Sequence, residues 1–233
     1  ESRHYRDEEE RASPMSSTSP NSPSTVTFAQ FADSWIPEPE PVEAARERAR
    51  EFGVSPVSPA TGRFLTFLAA SVQAQTVVEV GTGTGVSGAA LLEGMTPGGV
   101  LTSIDTEAEY QRHAREALVS LGHEPSRARL IAGRALDVLP RMSDGAYDVV
   151  VVDADRGEYP AMLDQAKRLL RIGGVVAFLG IGEDDMVADP ARRGVEAMAV
   201  KELAELMRRD ADWAATPLAE GNGMLVACLR RRD

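Results

Sequence analysis

The sequence has few of the residues that build disulfide frameworks or metal centres. Cys228 is the only cysteine among 233 residues, which excludes an intramolecular disulfide and a cysteine-cluster zinc site. Three histidines (His4, His113 and His123) leave little material for a multi-histidine metal centre. The chain lacks an apolar run of about 18 residues, the length that indicates a membrane span, and lacks an apolar signal core near its start. We therefore expect a cytoplasmic protein that does not enter a membrane.

Positive charge is also scarce. The chain carries 25 Lys and Arg residues against 36 Asp and Glu residues, which gives a formal net charge of −11. A general nucleic-acid binder needs a basic surface, so we expect no nucleic-acid partner.

Residues 1–40 differ in composition from the rest of the chain. A charged segment with almost no apolar residues precedes a tract rich in Ser, Pro and Thr. Such a segment buries too little apolar surface to offset the entropy of ordering. The sequence therefore predicts a disordered or extended tail over 1–40 and one domain over 41–233. The apolar residues Phe28, Phe31, Trp35 and Ile36 are the candidate anchors of this tail, either packing on the domain or meeting a partner or a site.

From residue 42 onward, apolar patterning predicts two helices followed by five alternations of strand and helix. The strands are predicted over 76–81, 100–105, 128–133, 147–155 and 175–181, and a Gly-Asn hairpin closes the chain. Alternation of this kind is typical of a parallel sheet with helices on both faces. We therefore predict an α/β, Rossmann-like, doubly wound, mainly parallel seven-stranded sheet, with an antiparallel C-terminal hairpin strand and N-terminal helices.

Glycines and carboxylates follow several of the predicted strands. The first strand leads into Gly81, Gly83 and Gly85, the second ends on Asp105, and the fourth is followed by Asp153 and Asp155. Ligands of doubly wound sheets bind beyond the carboxyl ends of the strands. The sequence therefore predicts a ligand site at this edge.

The glycine-rich loop admits two cofactor classes. Gly83 to Gly88 matches the dinucleotide fingerprint GxGxxG. Glu79, however, lies two residues before the first loop glycine, and a carboxylate is a poor neighbour for a phosphate. It suits S-adenosylmethionine, which carries a sulfonium, an amine and a ribose but no phosphate. Asp105 can accept hydrogen bonds from ribose hydroxyls in either case.

The motif set resembles that of class I S-adenosylmethionine-dependent O-methyltransferases of the catechol and caffeoyl-CoA type. The resemblance rests on EVGTGTG (79–85), Asp105, GRA (133–135), VVDADR (151–156) and VSPATG (57–62), and it covers about residues 42–230. The sequence is most similar to actinobacterial members of this family. The family commonly forms dimers through its N-terminal helices, so the resemblance also implies a homodimer.

The resemblance implies a role for each matching residue. The residues implied to bind the cofactor are Val57, Glu79, Gly81, Thr82, Gly83, Gly85, Ser87, Asp105, Thr106, Ala135 and Asp155. Glu79 and the loop residues would line the methionine end, Thr106 and Ala135 would lie near the adenine, and Asp155 would face the amino-acid moiety. Asp153 and Arg156 are the implied catalytic residues, and Asp153 matches the family acid that meets metal and substrate.

The chain departs from the family at its metal site. Leu179 and Gly180 stand where catechol-type enzymes have the second and third metal ligands, and Arg156 replaces a catalytic lysine. Mg²⁺ prefers an octahedral set of oxygen ligands, which one carboxylate does not supply. We therefore predict that no divalent metal is required, with the acids over 183–185 as possible replacement ligands. Arg156 remains protonated, so the candidate bases are Asp153 and an acid of that loop, although Arg156 should lower the pKa of Asp153. An ion pair with Asp153 or Asp155 is the alternative role of Arg156.

These observations predict methyl transfer from S-adenosylmethionine to a hydroxyl, phenolic in the favoured case, of a small molecule. Two alternatives stay open at this point. One is an NAD(P)-dependent oxidoreductase that uses Gly83 to Gly88. The other is a cofactor-binding protein with little catalysis, which the missing metal ligands and lysine would explain.

Overall fold

The computed structural model describes residues 26–183 and 186–231. Its helices are α1 (Phe28–Ser34), α2 (Glu40–Glu51), α3 (Pro59–Ser71), α4 (Val86–Gly94), α5 (Ala108–Ser120), α6 (Ala135–Val138), α7 (Tyr159–Leu169) and α8 (Val195–Arg209). Its strands are β1 (Thr76–Val80), β2 (Val100–Asp105), β3 (Ala128–Ala132), β4 (Tyr147–Val152), β5 (Leu170–Leu179), β6 (Trp213–Leu218) and β7 (Met224–Leu229). No helix in this described part of the chain has both the length and the apolar run needed to cross a membrane.

The seven strands form one sheet in the order β3-β2-β1-β4-β5-β7-β6. The pairs from β3 through to β5 are parallel, whereas β7 pairs antiparallel with both β5 and β6. The fold prediction is confirmed. Chain order reverses between β1 and β4, and a ligand crevice opens at such a switch point.

Both faces of the sheet are covered. Val77 and Val149 face a core shared with α3, α4 and α5, while Val78 and Val150 face a second core shared with α7 and α8. Burial on two faces accounts for the nearly continuous Val and Leu runs of the central strands.

The bounds of several elements differ from the sequence prediction. The predicted helix ending at the Gly173-Gly174 pair stops earlier, at Leu169, and β5 begins at Leu170 instead of residue 175. The β4–β5 register shifts between Tyr147 and Val149, and Gly173 has a φ of +80°. These glycines therefore lie within an irregular part of β5 and do not end a helix. Elsewhere, the sequence pattern predicts a long helix from Pro190 and a final hairpin from Thr216, whereas α8 begins at Val195 and β6 at Trp213.

Part of the predicted tail is helical. Thr27 and Gln30 form a capping box in which the Thr27 side chain accepts from the backbone of Gln30, which starts α1 inside the segment predicted to be disordered or extended. The Asp33 carboxylate then accepts from the backbone N–H of Ala60 at 3.1 Å and ties α1 to α3. Residues 1–25 lie outside the described residues, and the domain boundary near residue 40 stays a prediction.

Candidate active site

Three adjoining cavities lie at the carboxyl edge of the sheet. The strand-end cavity, about 410 Å³, lies between the ends of β1, β2 and β4 and the residues that follow β3. The loop cavity, about 150 Å³, lies between the glycine loop and residues 54–57. The hairpin cavity, about 210 Å³, lies between the end of β5 and the β6–β7 turn. Asp153 lines all three, so it stands where the cavities meet.

The glycine loop is bent so that its backbone faces the cavities. Gly81, Gly83 and Gly85 all have positive φ, between 48° and 96°. A Cβ on Gly81 would lie 1.9 Å from the carbonyl oxygen of Asp153, and one on Gly85 would lie 2.9 Å from the Cα of Ala114. Glycine is therefore required at both positions, for conformation and for space.

The predicted cofactor residues divide between two cavities. Val57, Thr82, Gly83 and Ser87 line the loop cavity. Thr106, Ala135 and Asp155 line the strand-end cavity. Gly81 and Asp105 line both.

Asp105 is held at the end of β2 by two backbone donors. Its Oδ2 accepts from the N–H of Gly83 and its Oδ1 from the N–H of Glu107, each at 2.9 Å. Each carboxylate oxygen retains a lone pair for a further donor. The carboxylate is thus oriented toward the junction of the strand-end and loop cavities, where it can accept from a pair of hydroxyls.

The side chain of Glu79 does not lie in any of the three cavities, although its predicted role at the methionine end of the cofactor requires this. Its side chain lies beneath the loop, 1% exposed, and is absent from the linings of the three cavities. The Ser103 hydroxyl donates to its Oε2 at 2.5 Å, while its Oε1 lacks a hydrogen-bond partner among the described residues. Burial raises the pKa of Glu79 to about 7. The geometry therefore places Glu79 as a support under the loop. Gly85, at the start of α4, is likewise absent from the linings of the three cavities, in contrast to the prediction.

The two aspartates after β4 have different surroundings. The Asp155 side chain accepts from the N–H of Gly157 at 2.9 Å and lines the strand-end cavity, not the loop cavity. It therefore lies with Thr106 and Ala135, apart from the predicted amino-acid end. Burial raises the pKa of Asp153, and the Arg156 charge offsets that rise only in part. The expected lowering of this pKa is wrong, because the loss of solvation outweighs the ion attraction.

Arg156 is fixed by three elements around the hairpin cavity. Its Nε donates to the carbonyl oxygen of Gly180 at 3.0 Å, its Nη1 donates to Glu196 at 3.3 Å, and its Nη2 pairs with Glu183. The alternative of an ion pair with Asp153 or Asp155 is wrong, since the carboxylate partners are Glu183 and Glu196. One guanidinium thus joins the end of β5, the following loop and α8.

Comparison with known proteins identifies the family. The family model described as O-methyltransferase matches residues 42–231. A Mycobacteroides abscessus protein that bears an O-methyltransferase name is 42% identical over 213 residues, covering 91% of this chain and 99% of its own. The chain belongs to this O-methyltransferase family.

Solved structures agree with this membership. The O-methyltransferase TomG of Streptomyces achromogenes, involved in tomaymycin synthesis and solved in complex with SAM, has a TM-score of 0.80 and 28% identity over 86% of this chain and 94% of its own. Cofactor-bound Rv0187 from MTB has a TM-score of 0.78 and 28% identity over 91% of this chain and 100% of its own. The resemblance seen in the sequence is confirmed, and this chain is an S-adenosylmethionine-dependent methyltransferase.

Arg156 lies beside Gly180, the position where the sequence resemblance places the third metal ligand of catechol-type enzymes. A Cβ on Gly180, where φ is +70°, would lie 2.7 Å from Nη2 of Arg156, so a larger side chain at 180 would require the guanidinium to move. Leu179 is buried. Among residues 26–183 and 186–231, no three His, Cys, Asp or Glu side chains are grouped to hold a metal. Glu183 pairs with Arg156, and Asp184 and Asp185 lie outside the described residues.

Sequence reasoning missed the far wall of the hairpin cavity. Glu220 and Asn222, from the β6–β7 turn, line it together with Ser58 and Thr61 at the start of α3. The predicted hairpin was the sequence signal that could have located this wall. Antiparallel pairing sets Met224 beside Leu179, which brings the β6–β7 turn to the carboxyl edge of the sheet.

Proposed function

We propose that this methyltransferase transfers a methyl group from S-adenosylmethionine to the hydroxyl of a small, phenolic acceptor without a divalent metal. The observation that carries the proposal is Asp153, which stands at the junction of the three cavities. The donor would occupy the strand-end and loop cavities, and the acceptor would occupy the hairpin cavity. Donor and acceptor would then meet beside Asp153.

The charges of the strand-end cavity support a donor without phosphate. Its lining contains the carboxylates of Asp105, Asp153, Asp155 and Glu158. The one guanidinium in the lining, Arg134, pairs with Glu158 at 2.8 Å. Such a surface repels a pyrophosphate and attracts a sulfonium and an amine. Together with family membership, this argues against the NAD(P) alternative.

Asp105 and the glycine loop supply the contacts that the donor needs. The Asp105 carboxylate would accept from both ribose hydroxyls. The bare backbone at Gly81 and Gly83 would admit the methionine moiety beside Ser87. S-adenosylmethionine brings an electrophilic methyl on a sulfonium, so the chain must mainly align its reactants and exclude water.

Asp153 and Arg156 would act on the acceptor. The acceptor oxygen attacks the methyl carbon in line as the carbon–sulfur bond breaks, and the hydroxyl proton passes to Asp153. Burial raises the pKa of Asp153, which makes it a stronger base than an exposed aspartate. The Arg156 guanidinium would stabilise the negative charge that develops on the oxygen.

Calorimetric titration with S-adenosylmethionine and S-adenosylhomocysteine, in EDTA and again with Mg²⁺, tests the donor. We expect binding in both buffers. Turnover of simple phenols in the same buffers tests the reaction, and we expect equal rates. Activity that EDTA abolishes and Mg²⁺ restores would show that metal is required, and absence of binding in both buffers would refute the donor site.

Three further properties are proposed on sequence grounds. The net charge of −11 supports a protein that does not bind nucleic acid, and the single cysteine supports a reducing, cytoplasmic location. Family resemblance supports a homodimer. Light scattering after gel filtration tests the last of these, since a monomeric mass would refute it.

A further inference from the structure

The hairpin cavity is small and has an acidic lining. At about 210 Å³, it is below the range of about 300–1,000 Å³ that holds drug-sized ligands. It therefore suits a single ring with a short substituent. Its charged lining residues are Asp153, Glu183, Glu220 and Arg156, so three carboxylates face one guanidinium.

The single cation in this lining is already engaged. Arg156 pairs with Glu183 and also with Glu196 of α8. A carboxylate or phosphate on the acceptor would have to displace one of these partners and would meet the remaining acids. The cavity is therefore unfavourable to an anionic acceptor.

Glu220 stands on the wall opposite the end of β5. Among the described residues it has no ion pair, and its carboxylate accepts only a long hydrogen bond, 3.4 Å, from the Ser58 hydroxyl. The Glu220 carboxylate thus stands at the cavity wall without a charged partner among the described residues, where it can pair with an occupant of the cavity.

Position separates Glu220 from the reacting atoms. Asp153 and Arg156 belong to the segment after β4, whereas Glu220 belongs to the β6–β7 turn across the cavity. An acceptor with its hydroxyl at Asp153 would extend its other end toward this turn. S-adenosylmethionine carries one net positive charge. This charge and that of Arg156 together do not balance the three carboxylates of the lining, so the cavity keeps an excess of negative charge.

We infer that the acceptor is a small phenol carrying a cationic amine, whose ammonium group pairs with Glu220 while its hydroxyl lies beside Asp153. This inference rests on the proposed function, because it uses the hairpin cavity as the acceptor site. It makes Glu220 a specificity-determining residue and excludes carboxylate-bearing phenols as preferred acceptors.

Three phenols of similar size but different charge test it: tyramine, 4-ethylphenol and 3-(4-hydroxyphenyl)propionate. Methylation by the full chain, and inhibitory binding in the presence of S-adenosylhomocysteine, are measured for each. We expect tyramine to exceed the neutral phenol by about threefold to fivefold in kcat/KM or affinity, the range of a partly exposed ion pair, and the propionate to be weakest. Equal values, or a preference for the propionate, would overturn the inference.

The variant Glu220→Gln sharpens the test. It should remove the preference for tyramine over 4-ethylphenol, so that the ratio of the two values falls to about one whatever the variant does to each value alone. Glu202→Gln, at an exposed position on α8, makes the same charge change away from the cavity and should keep the preference. A preference that survives Glu220→Gln would refute the role of this residue.

Failure of the proposed function gives a different result. A chain that does not bind S-adenosylhomocysteine refutes the donor site, and this inference falls with it. A chain that binds S-adenosylhomocysteine and all three phenols without regard to charge leaves the donor site standing and refutes this inference alone.

Discussion

The two halves of the site are built differently. The proposed donor half, around the glycine loop and Asp105, is built from short segments at the ends of adjacent parallel strands, and backbone groups hold its key carboxylate. The acceptor half joins the start of α3, the segment after β4, the end of β5 and the β6–β7 turn. Short strand-end motifs therefore define the donor half, while packing between distant segments defines the acceptor half.

Removing the Asp105 carboxylate should give the largest effect. Asp105→Ala would lose two hydrogen bonds to the ribose, each made with a charged group and worth about 1.5–3 kcal/mol. We expect S-adenosylhomocysteine affinity to fall by roughly a thousandfold in calorimetry, with circular dichroism unchanged. In Asp105→Asn the side-chain amide keeps one acceptor oxygen, so the affinity of this variant should fall less. Binding as tight as in the parent would show that the donor half is misplaced.

The Asp153 variant tests the junction between the halves. Asp153→Asn should lower kcat by about a hundredfold, the lower limit for loss of a general base, and lower donor affinity far less than Asp105→Ala does. Because burial raises the pKa of Asp153, kcat of the parent should rise with pH as this group loses its proton. The variant should lack that rise. An acceptor with a lower hydroxyl pKa should reduce the difference in kcat between the parent and the variant. A variant with full activity would show that Asp153 has no part in the mechanism.

Glu79 links the donor half to the stability of the fold. Its pKa is raised from 4.5 to about 7 by burial, so between these values the folded chain holds a proton that the unfolded chain has released. The free energy of unfolding should therefore fall as pH rises through this window, by at most about 3 kcal/mol. Urea unfolding at pH 4.5 and pH 8 measures this fall in the free energy of unfolding. Glu79→Gln should remove the part of the fall that Glu79 causes. Identical pH profiles would contradict the raised pKa.

The sequence was informative where function depends on local backbone geometry. The positive φ of Gly81 and the end of β2 at Asp105 follow from short patterns, and the seven-stranded sheet follows from the alternation of strands and helices. Burial and long-range contacts were not accessible in this way. The position of Glu79 under the loop, the carboxylate partners of Arg156 and the place of Glu220 depend on contacts between residues that are 24 to 162 positions apart.

Arg156 offers the mildest way to alter the acceptor half alone. Lysine keeps the positive charge but cannot reach Gly180, Glu183 and Glu196 together, because one ammonium group replaces a planar guanidinium. Arg156→Lys should therefore lower kcat/KM by about tenfold, the equivalent of about 1.4 kcal/mol, at unchanged affinity for S-adenosylhomocysteine. Arg193→Lys, at an exposed position before α8, is the matched control and should behave as the parent does. Parent-like turnover by Arg156→Lys would mean that charge alone suffices, and a loss of donor affinity would mean that the two halves are not independent.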